Sequence, residues 1–205
     1  MLAAALRAHV ARPGAAVLDV CTGSGMLAVQ AALLGARVTA VDVMRRALVS
    51  ARVNALLNGV RVHTRRGSLF SALDGERFDT IVSNPPYVPA AGDALPAHGP
   101  RRAWDAGRDG RALLDPLCRQ VADHLRPGGT VLLVHSSVCG VQRTLDELAA
   151  AGLDAHVVAR RRGPLGPLLR ERVAGATGGL EAGLLEEEIV VVRGMLTRAT
   201  AGRIT

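Results

Sequence analysis

The stretch Val17-Leu18-Asp19-Val20-Cys21-Thr22-Gly23-Ser24-Gly25 constrains this chain more than any other. A short apolar run carries one carboxylate near its end and then breaks into a glycine turn. Met26 to Leu34 follow as an apolar, alanine-rich helix. A strand, a tight turn and a helix N-terminus in succession make a ligand cradle, because the first helical N–H groups have no partner within the helix. Gly23 and Gly25 let the backbone approach that ligand with no Cβ between them. Asp42 then closes a second apolar run, Arg37 to Val41, and a carboxylate at the tip of the neighbouring strand is well placed to grip a ribose diol.

This spacing has two readings. Gly23-x-Gly25-x-x-Ala28 with Asp42 downstream also fits a dinucleotide fingerprint. Asp19 argues against it. A carboxylate just before the glycine turn is expected to face the cofactor, where it would repel a pyrophosphate and hold a sulfonium and an ammonium. The reading therefore favours S-adenosylmethionine (SAM) over a nicotinamide dinucleotide, and over a plain glycine turn with a surface aspartate.

Taken in order, the pattern predicts a short helix at Leu2 to Val10 and a Pro13-Gly14 turn into a strand at Ala16 to Cys21. A helix at Met26 to Leu34 stops at Gly35, followed by a strand at Arg37 to Val41 and a helix at Arg45 to Leu57. Strands follow at Arg61 to Thr64 and Phe78 to Ser83. From Val88 to Gly110 periodicity fails, which in a compact domain points to a lid or binding loop. Arg111 to Leu125 reads as helix stopped by Pro127-Gly128-Gly129, Thr130 to His135 as strand and Val141 to Ala151 as helix. Ala155 to Ala159 and Glu188 to Val192 read as closing strands, with Pro164 and Pro167 breaking any regular element between them. Strands alternating with helices imply an α/β fold: a seven-stranded, mostly parallel sheet with helices on both faces and an antiparallel closing strand. One domain is expected over residues 1–195, with a frayed tail at 196–205.

With 205 residues, 49% of them hydrophobic, the chain can bury a substantial core. No run of about eighteen uninterrupted apolar residues suggests a membrane span. The first ten residues lack the basic start and long apolar centre of a signal peptide. Cys21, Cys118 and Cys139 are widely spaced, which suits reduced thiols in a cytoplasm and no metal site. The net charge of +7 rests on arginine alone, because lysine is absent. Coding bias and a solvated surface account for this as readily as an acidic partner such as RNA, DNA or a ribosomal complex. Aromatic residues, at 2%, are too scarce for a single-strand stacking platform.

Ligands of open parallel sheets collect beyond the carboxyl ends of the strands, and Asp19, Asp42, Ser68 and Asn84 all fall at such ends. Asn84-Pro85-Pro86-Tyr87 offers carbonyl oxygens with few competing donors, because neither proline has an N–H. Proline also keeps the residue before it extended. The Asn84 side-chain oxygen and the Pro85 carbonyl are expected to accept both hydrogens of an NH2 group, with Tyr87 closing over the planar group. Such a site suits methyl transfer to an amide or an exocyclic amine, where positioning supplies most of the acceleration.

These residues resemble the class I SAM-dependent methyltransferases with an [N/D]-P-P-[Y/F/W] motif, and among them the HemK/PrmC-type protein glutamine methyltransferases. The resemblance rests on Asp19-x-x-x-Gly23-x-Gly25, Asp42, Val82 to Tyr87, Arg102 to Arg111 and the closing run Glu186 to Val192. It implies a Rossmann-like fold and SAM as cofactor. Its catalytic set would be Asn84, Pro85, Pro86 and Tyr87. Its cofactor-binding set would be Asp19, Thr22, Gly23, Gly25, Asp42, Val43, Ser68, Leu69 and Asn84, with Asp19 and the glycines at the methionine part and Asp42 at the ribose. The implied substrate is a glutamine in the Gly-Gly-Gln loop of a translation termination factor.

Three departures stand out. Ser68 replaces a common acidic contact to adenine. The sequence shows no match to the N-terminal helical domain of the bacterial enzymes, so the resemblance points to the short archaeal and eukaryotic branch, which works with a small zinc-binding activator subunit. Little more than Leu2 to Val10 precedes Arg12, where relatives carry a segment that helps cover SAM.

Smaller features have plainer readings. His98 is expected at the surface, His135 against a backbone partner, Cys21 in the core and Arg160 to Arg162 as a solvated run, while Trp104 either anchors the lid or flanks the substrate. The same four-residue motif serves adenine-N6 methyltransferases of RNA and DNA, so nucleic acid stays open as a substrate, as does a small metabolite. An inactive SAM-binding subunit and a nicotinamide-dependent oxidoreductase are the alternatives from other classes.

Overall fold

The computed structural model describes residues 1–9, 13–174 and 186–197. Helix α1 (Leu2–His9) precedes β1 (Ala16–Val20), α2 (Met26–Leu33), β2 (Arg37–Asp42), α3 (Arg45–Leu57), β3 (Val62–Arg66) and β4 (Phe78–Ser83). After a long loop come α4 (Leu114–Gln120), β5 (Leu125–Ser136), α5 (Val141–Ala150), β6 (Leu153–Pro164), α6 (Pro167–Ala174) and β7 (Glu186–Leu196). The seven strands form one sheet in the order β3-β2-β1-β4-β5-β7-β6. Neighbouring strands among β1 to β5 pair in parallel, and β7 lies antiparallel to both β5 and β6.

Alternation along the central strands builds two cores. Leu18, Ile81 and Leu133 face one side with Phe70, Leu117 and Leu148. Their neighbours Val17, Val82 and Leu132 face the other with Leu6, Leu27 and Ala31. Strands covered on both faces carry apolar residues at nearly every position, which is why β1 is one uninterrupted run apart from Asp19.

Several elements differ from their sequence-based bounds. The Pro127-Gly128-Gly129 turn lies inside β5 rather than before it: pairing with β4 jumps from Phe78–Leu125 to Thr80–Thr130, so the extra residues bulge out opposite Asp79. Arg126 in that bulge donates to Asp79 Oδ2 at 2.8 Å. The helix expected from Arg111 starts only at Leu114, because Asp109 Oδ1 accepts the Arg111 N–H at 3.0 Å and holds the backbone in a turn. It then tightens into a 3₁₀ turn at Val121–His124.

Pro167, expected to break regular structure, opens α6 instead, at a first helical position where the missing N–H costs nothing. Strands β6 and β7 run to 12 and 11 residues, more than twice the expected lengths. Their polar positions pair across the ladder, Arg160 with Glu188 at 2.9 Å and Arg162 with Glu186 at 2.7 Å, so the arginine run belongs to an antiparallel pair. Val10 and most of the tail expected from 196 onward fall outside the described residues. No helix among the described residues is long and apolar enough to cross a membrane.

Candidate active site

The strand order reverses between β1 and β4, and beyond the carboxyl ends of these strands lies a cavity of about 300 Å³. Its floor comes from the β1–α2 turn. Thr22 N–H donates to Val41 O at 3.1 Å and Gly25 N–H to Thr22 O at 2.9 Å, which curls the chain back toward β2. Gly25 caps α2 at φ +79°, and a Cβ there would sit 2.7 Å from Ala51 Cβ, so glycine alone lets α2 and α3 meet at this point. At Gly23 a Cβ would meet nothing within 4 Å, and this glycine borders the cavity.

Asp42 borders the cavity at the tip of β2. Its Oδ2 accepts the Gly23 N–H at 3.0 Å and its Oδ1 the Met44 N–H at 2.8 Å. Each carboxylate oxygen has a second lone pair, so the group remains able to accept from a diol. Thr22, Val43, Ser68 and Leu69 border the same space, as do Asn84 and Pro86 from the end of β4. Asn84 is exposed, between buried Ser83 and buried Pro85.

Asp19 departs from its expected place. It is fully buried and does not border the cavity. Its Oδ2 instead accepts from Thr22 Oγ1 at 2.6 Å and from the Ala28 N–H at 3.0 Å, pinning the glycine turn to the first turn of α2. Its Oδ1 is buried with no hydrogen-bond partner among the described residues. Burial pushes the Asp19 carboxyl up to about 7, against the lowering effect of these two hydrogen bonds, and the nearby Asp42 charge adds to the rise.

The folded chain therefore holds the Asp19 proton over a range, between the ordinary value of 3.8 and about 7, where the unfolded chain has lost it. Stability associated with this group is greatest at low pH, falls as pH rises through that window and is level above it. Asp19→Asn should remove the fall, on the order of 4 kcal/mol across the window. Urea denaturation of both proteins at a series of pH values reads the difference, and parallel stability profiles would show that Asp19 does not titrate there.

Pro85 and Tyr87 also lie off the cavity wall. The Tyr87 carbonyl accepts from Cys139 Sγ at 3.2 Å. Burial raises the phenol above its ordinary value, and neighbouring Glu187 adds to the rise. Trp104 anchors the lid, packing with Val88, Val138, Leu165 and Leu169. His135 is buried with Nδ1 2.9 Å from Ser136 O, and burial lowers its pKa, so it is a neutral core residue. His98 is exposed. Cys21 is half-buried, lies in the left-handed region at φ +58° and borders the cavity, and burial pushes its thiol up to about 12.

The remaining wall comes from the aperiodic segment: Leu95, Pro96, Arg102, Ala103 and Asp105. Sequence reasoning marked the segment as a lid and quoted Arg102, Ala103 and Asp105 within the family resemblance, without assigning them to the cavity wall, and left Leu95 and Pro96 unnamed. The segment folds back on itself through Val88 N–H to Trp104 O at 2.8 Å, Ala106 N–H to Val88 O at 2.9 Å and Ala90 N–H to Gly107 O at 2.8 Å. Arg111 locks its far end. That buried guanidinium donates to Asp115 Oδ1 at 2.7 Å, Cys139 O at 2.6 Å and Thr144 Oγ1 at 3.0 Å.

A family model described as "Methyltransferase small domain" matches residues 1–96. A relative from Methanocaldococcus jannaschii, assigned as a protein N5-glutamine methyltransferase, is 32% identical over 154 residues, 75% of this chain and 78% of the relative. A release factor glutamine methyltransferase from Deinococcus radiodurans is 46% identical over 123 residues, 57% of this chain and 44% of the relative. The chain thus spans less than half the length of the Deinococcus relative.

Among solved structures, the E. cuniculi Mtq2–Trm112 complex, responsible for methylation of the termination factor eRF1, superposes with a TM-score of 0.63 at 21% identity, covering 96% of this chain and 93% of that one. A T. thermophilus 16S rRNA methyltransferase (RsmC) in complex with AdoMet and guanosine gives 0.63 at 21% identity, covering 96% of this chain and 42% of that one. Sheet order, cavity position and these superpositions define a Rossmann-like methyltransferase fold. Within that class, the chain belongs to the HemK/PrmC-type glutamine methyltransferases.

Proposed function

We propose that this chain transfers the methyl group of SAM to the side-chain amide nitrogen of a glutamine in a translation protein, a release factor above all. The observation that carries the reading is that Asn84 and Pro86 share one cavity with Gly23 and Asp42. A corner able to hold an acceptor NH2 group thus borders the same space as a turn and carboxylate able to hold a nucleoside.

The residues fit SAM. The open space over Gly23 admits a ligand against the backbone, Asp42 has lone pairs left for a ribose diol, and Val43 and Leu69 offer apolar surface for a base. Ser68 contributes a hydroxyl where relatives commonly carry an acid, so apolar contact would dominate there. SAM when bound would supply an electrophilic methyl carbon. The chain's own part is to orient the weakly nucleophilic amide with its lone pair in line, and to exclude water under the lid. Attack by a neutral nitrogen on a sulfonium adds no net charge, so a strong general base is unnecessary, and the surplus amide proton leaves to solvent after transfer.

The reading places the chain in the cytoplasm and includes a partner subunit, because the similar E. cuniculi protein is a complex with Trm112. A transfer assay with methyl-labelled SAM tests it, with and without such a partner, against a release factor, its Gly-Gly-Gln to Gly-Gly-Ala variant, and bulk RNA and DNA. Label is expected in the unaltered factor alone. Label confined to nucleic acid would overturn the protein substrate and support adenine-N6 chemistry at the same corner.

A further inference from the structure

The sheet opens at its other end as well. A cleft of about 580 Å³ lies at the amino ends of the central strands, and Arg37, Arg61, Arg77 and Arg126 border it. Register places the four in one row. Arg37 opens β2 and Arg61 directly precedes β3, and the two stand side by side because Val38 pairs with Val62. Arg77 directly precedes β4, and Arg126 follows Leu125, the partner of Phe78. From β3 to β5 is four strand spacings, a row of about 19 Å. The cavity with Asn84 lies at the carboxyl ends of the same strands, a full strand length away.

Glu76 and Asp79 are already engaged. Arg65 takes both oxygens of Glu76, while Arg126 Nη1 and the Ala16 N–H each donate to Asp79 Oδ2 at 2.8 Å. Arg37 and Arg77 are bonded to carbonyls instead, Arg37 Nε to Gly14 O at 3.2 Å and Arg77 Nη1 to Leu125 O at 2.9 Å. A carbonyl orients a guanidinium and leaves its charge standing. Arg37, Arg61 and Arg77 are all exposed, so three oriented or free guanidinium groups face solvent along one line. Thr39 and His63 are shared with a neighbouring depression lined by Arg52, which extends the positive surface along β3.

Guanidinium forks match phosphate oxygens two at a time. No exposed large hydrophobic residue among the described residues borders the cleft, and Phe78 within it is buried. A protein partner needs an apolar centre, a membrane an apolar face to receive, and a single strand exposed rings to stack on. A duplex needs none of these, since its phosphates stand on the outside, one for roughly every 3.4 Å along each strand. We propose that this cleft binds the phosphodiester backbone of a nucleic-acid duplex, with Arg37, Arg61 and Arg77 each taking a phosphate and no base being read. The duplex is a partner and not the methyl acceptor, because the cleft opens at the pole opposite Asn84. The inference is independent of the glutamine reading.

Fluorescence anisotropy of the full chain tests it with labelled RNA and DNA duplexes of about twenty base pairs, long enough to cover the row. The two duplexes tell the two sources of backbone apart. Affinity for the duplex that binds should fall with salt along a log–log slope of about −3 or steeper. Arg37→Gln, Arg61→Gln and Arg77→Gln should each lessen that slope by about one, and the triple variant should bind about thirtyfold or more weakly at low salt. All three side chains are exposed, so urea midpoints should not move. Arg160→Gln, Arg161→Gln and Arg162→Gln together remove as many charges from the edge strand β6 and should cost less than about threefold.

An equal loss in the two triple variants would mean that bulk charge alone attracts the duplex, and would overturn the inference. So would unchanged affinity in the cleft variant, or binding to neither duplex by the unaltered protein. Vesicles of phosphatidylserine and phosphatidylcholine are run in parallel, and cleft-dependent binding to these alone would assign the arginines to a membrane surface instead.

Discussion

Asn84→Ala should lower kcat by about a hundredfold to a thousandfold and change S-adenosylhomocysteine affinity by less than about threefold. The asymmetry follows from where Asn84 sits. Its side chain is exposed at the cavity rim, while the backbone on either side is fixed: Ser83 Oγ donates to Val20 O at 2.7 Å, and Pro85 and Pro86 are buried. An amide nitrogen shares its lone pair with the carbonyl and attacks only when held in the right orientation, so removing an acceptor that holds it costs rate more than cofactor binding. Asn84→Asp keeps an acceptor oxygen at this position and should retain more activity than the alanine variant. Steady-state rates with the methyl acceptor, alongside calorimetry of the cofactor product, measure both quantities. A variant that turns over normally but binds the product poorly would move Asn84 from the acceptor to the cofactor.

The β1–turn–α2 unit and Asp42 were legible because their signals are local: apolar alternation, glycines at fixed offsets and a carboxylate closing a strand. The orientation of Asp19 was not. Whether a carboxylate at that position meets a ligand or the protein depends on what the turn brings behind it, here Thr22 Oγ1 and the Ala28 N–H. The one signal available was Thr22 itself, a hydroxyl three residues on that can reach back.

Strands β6 and β7 were read short for a different reason. The charges that interrupt their apolar alternation are neutralised on the neighbouring strand, Arg160 by Glu188 and Arg162 by Glu186, and no window along one strand contains its partner. The lid hides its wall residues in the same way. Its order comes from bonds between Val88 and the distant Trp104 and Ala106, so Arg102 and Asp105 carry no periodic signature.

The largest loss of stability should come at the hinge between that lid and the acceptor corner. Gly110 has φ +72°, and a Cβ there would lie 2.5 Å from Tyr87 O and 2.8 Å from Cys139 Sγ. Neither neighbour can retreat cheaply. The Tyr87 carbonyl is already engaged by Cys139, and Arg111, the next residue, is bound into the buried network with Asp115, Cys139 O and Thr144. Gly110→Ala should therefore cost about 3 to 5 kcal/mol, part from the left-handed backbone and the larger part from overlap with a backbone oxygen.

Gly75→Ala separates the two contributions. Gly75 has nearly the same backbone angle, φ +68°, with nothing within 4 Å of a Cβ, so its substitution should cost only about 1 to 2 kcal/mol. Because the displaced carbonyl belongs to the residue after Pro86, any folded Gly110→Ala protein should also turn over more slowly than its Gly75→Ala counterpart. Equal denaturation midpoints for the two variants would show that the corner and the lid are not packed as closely as these distances require.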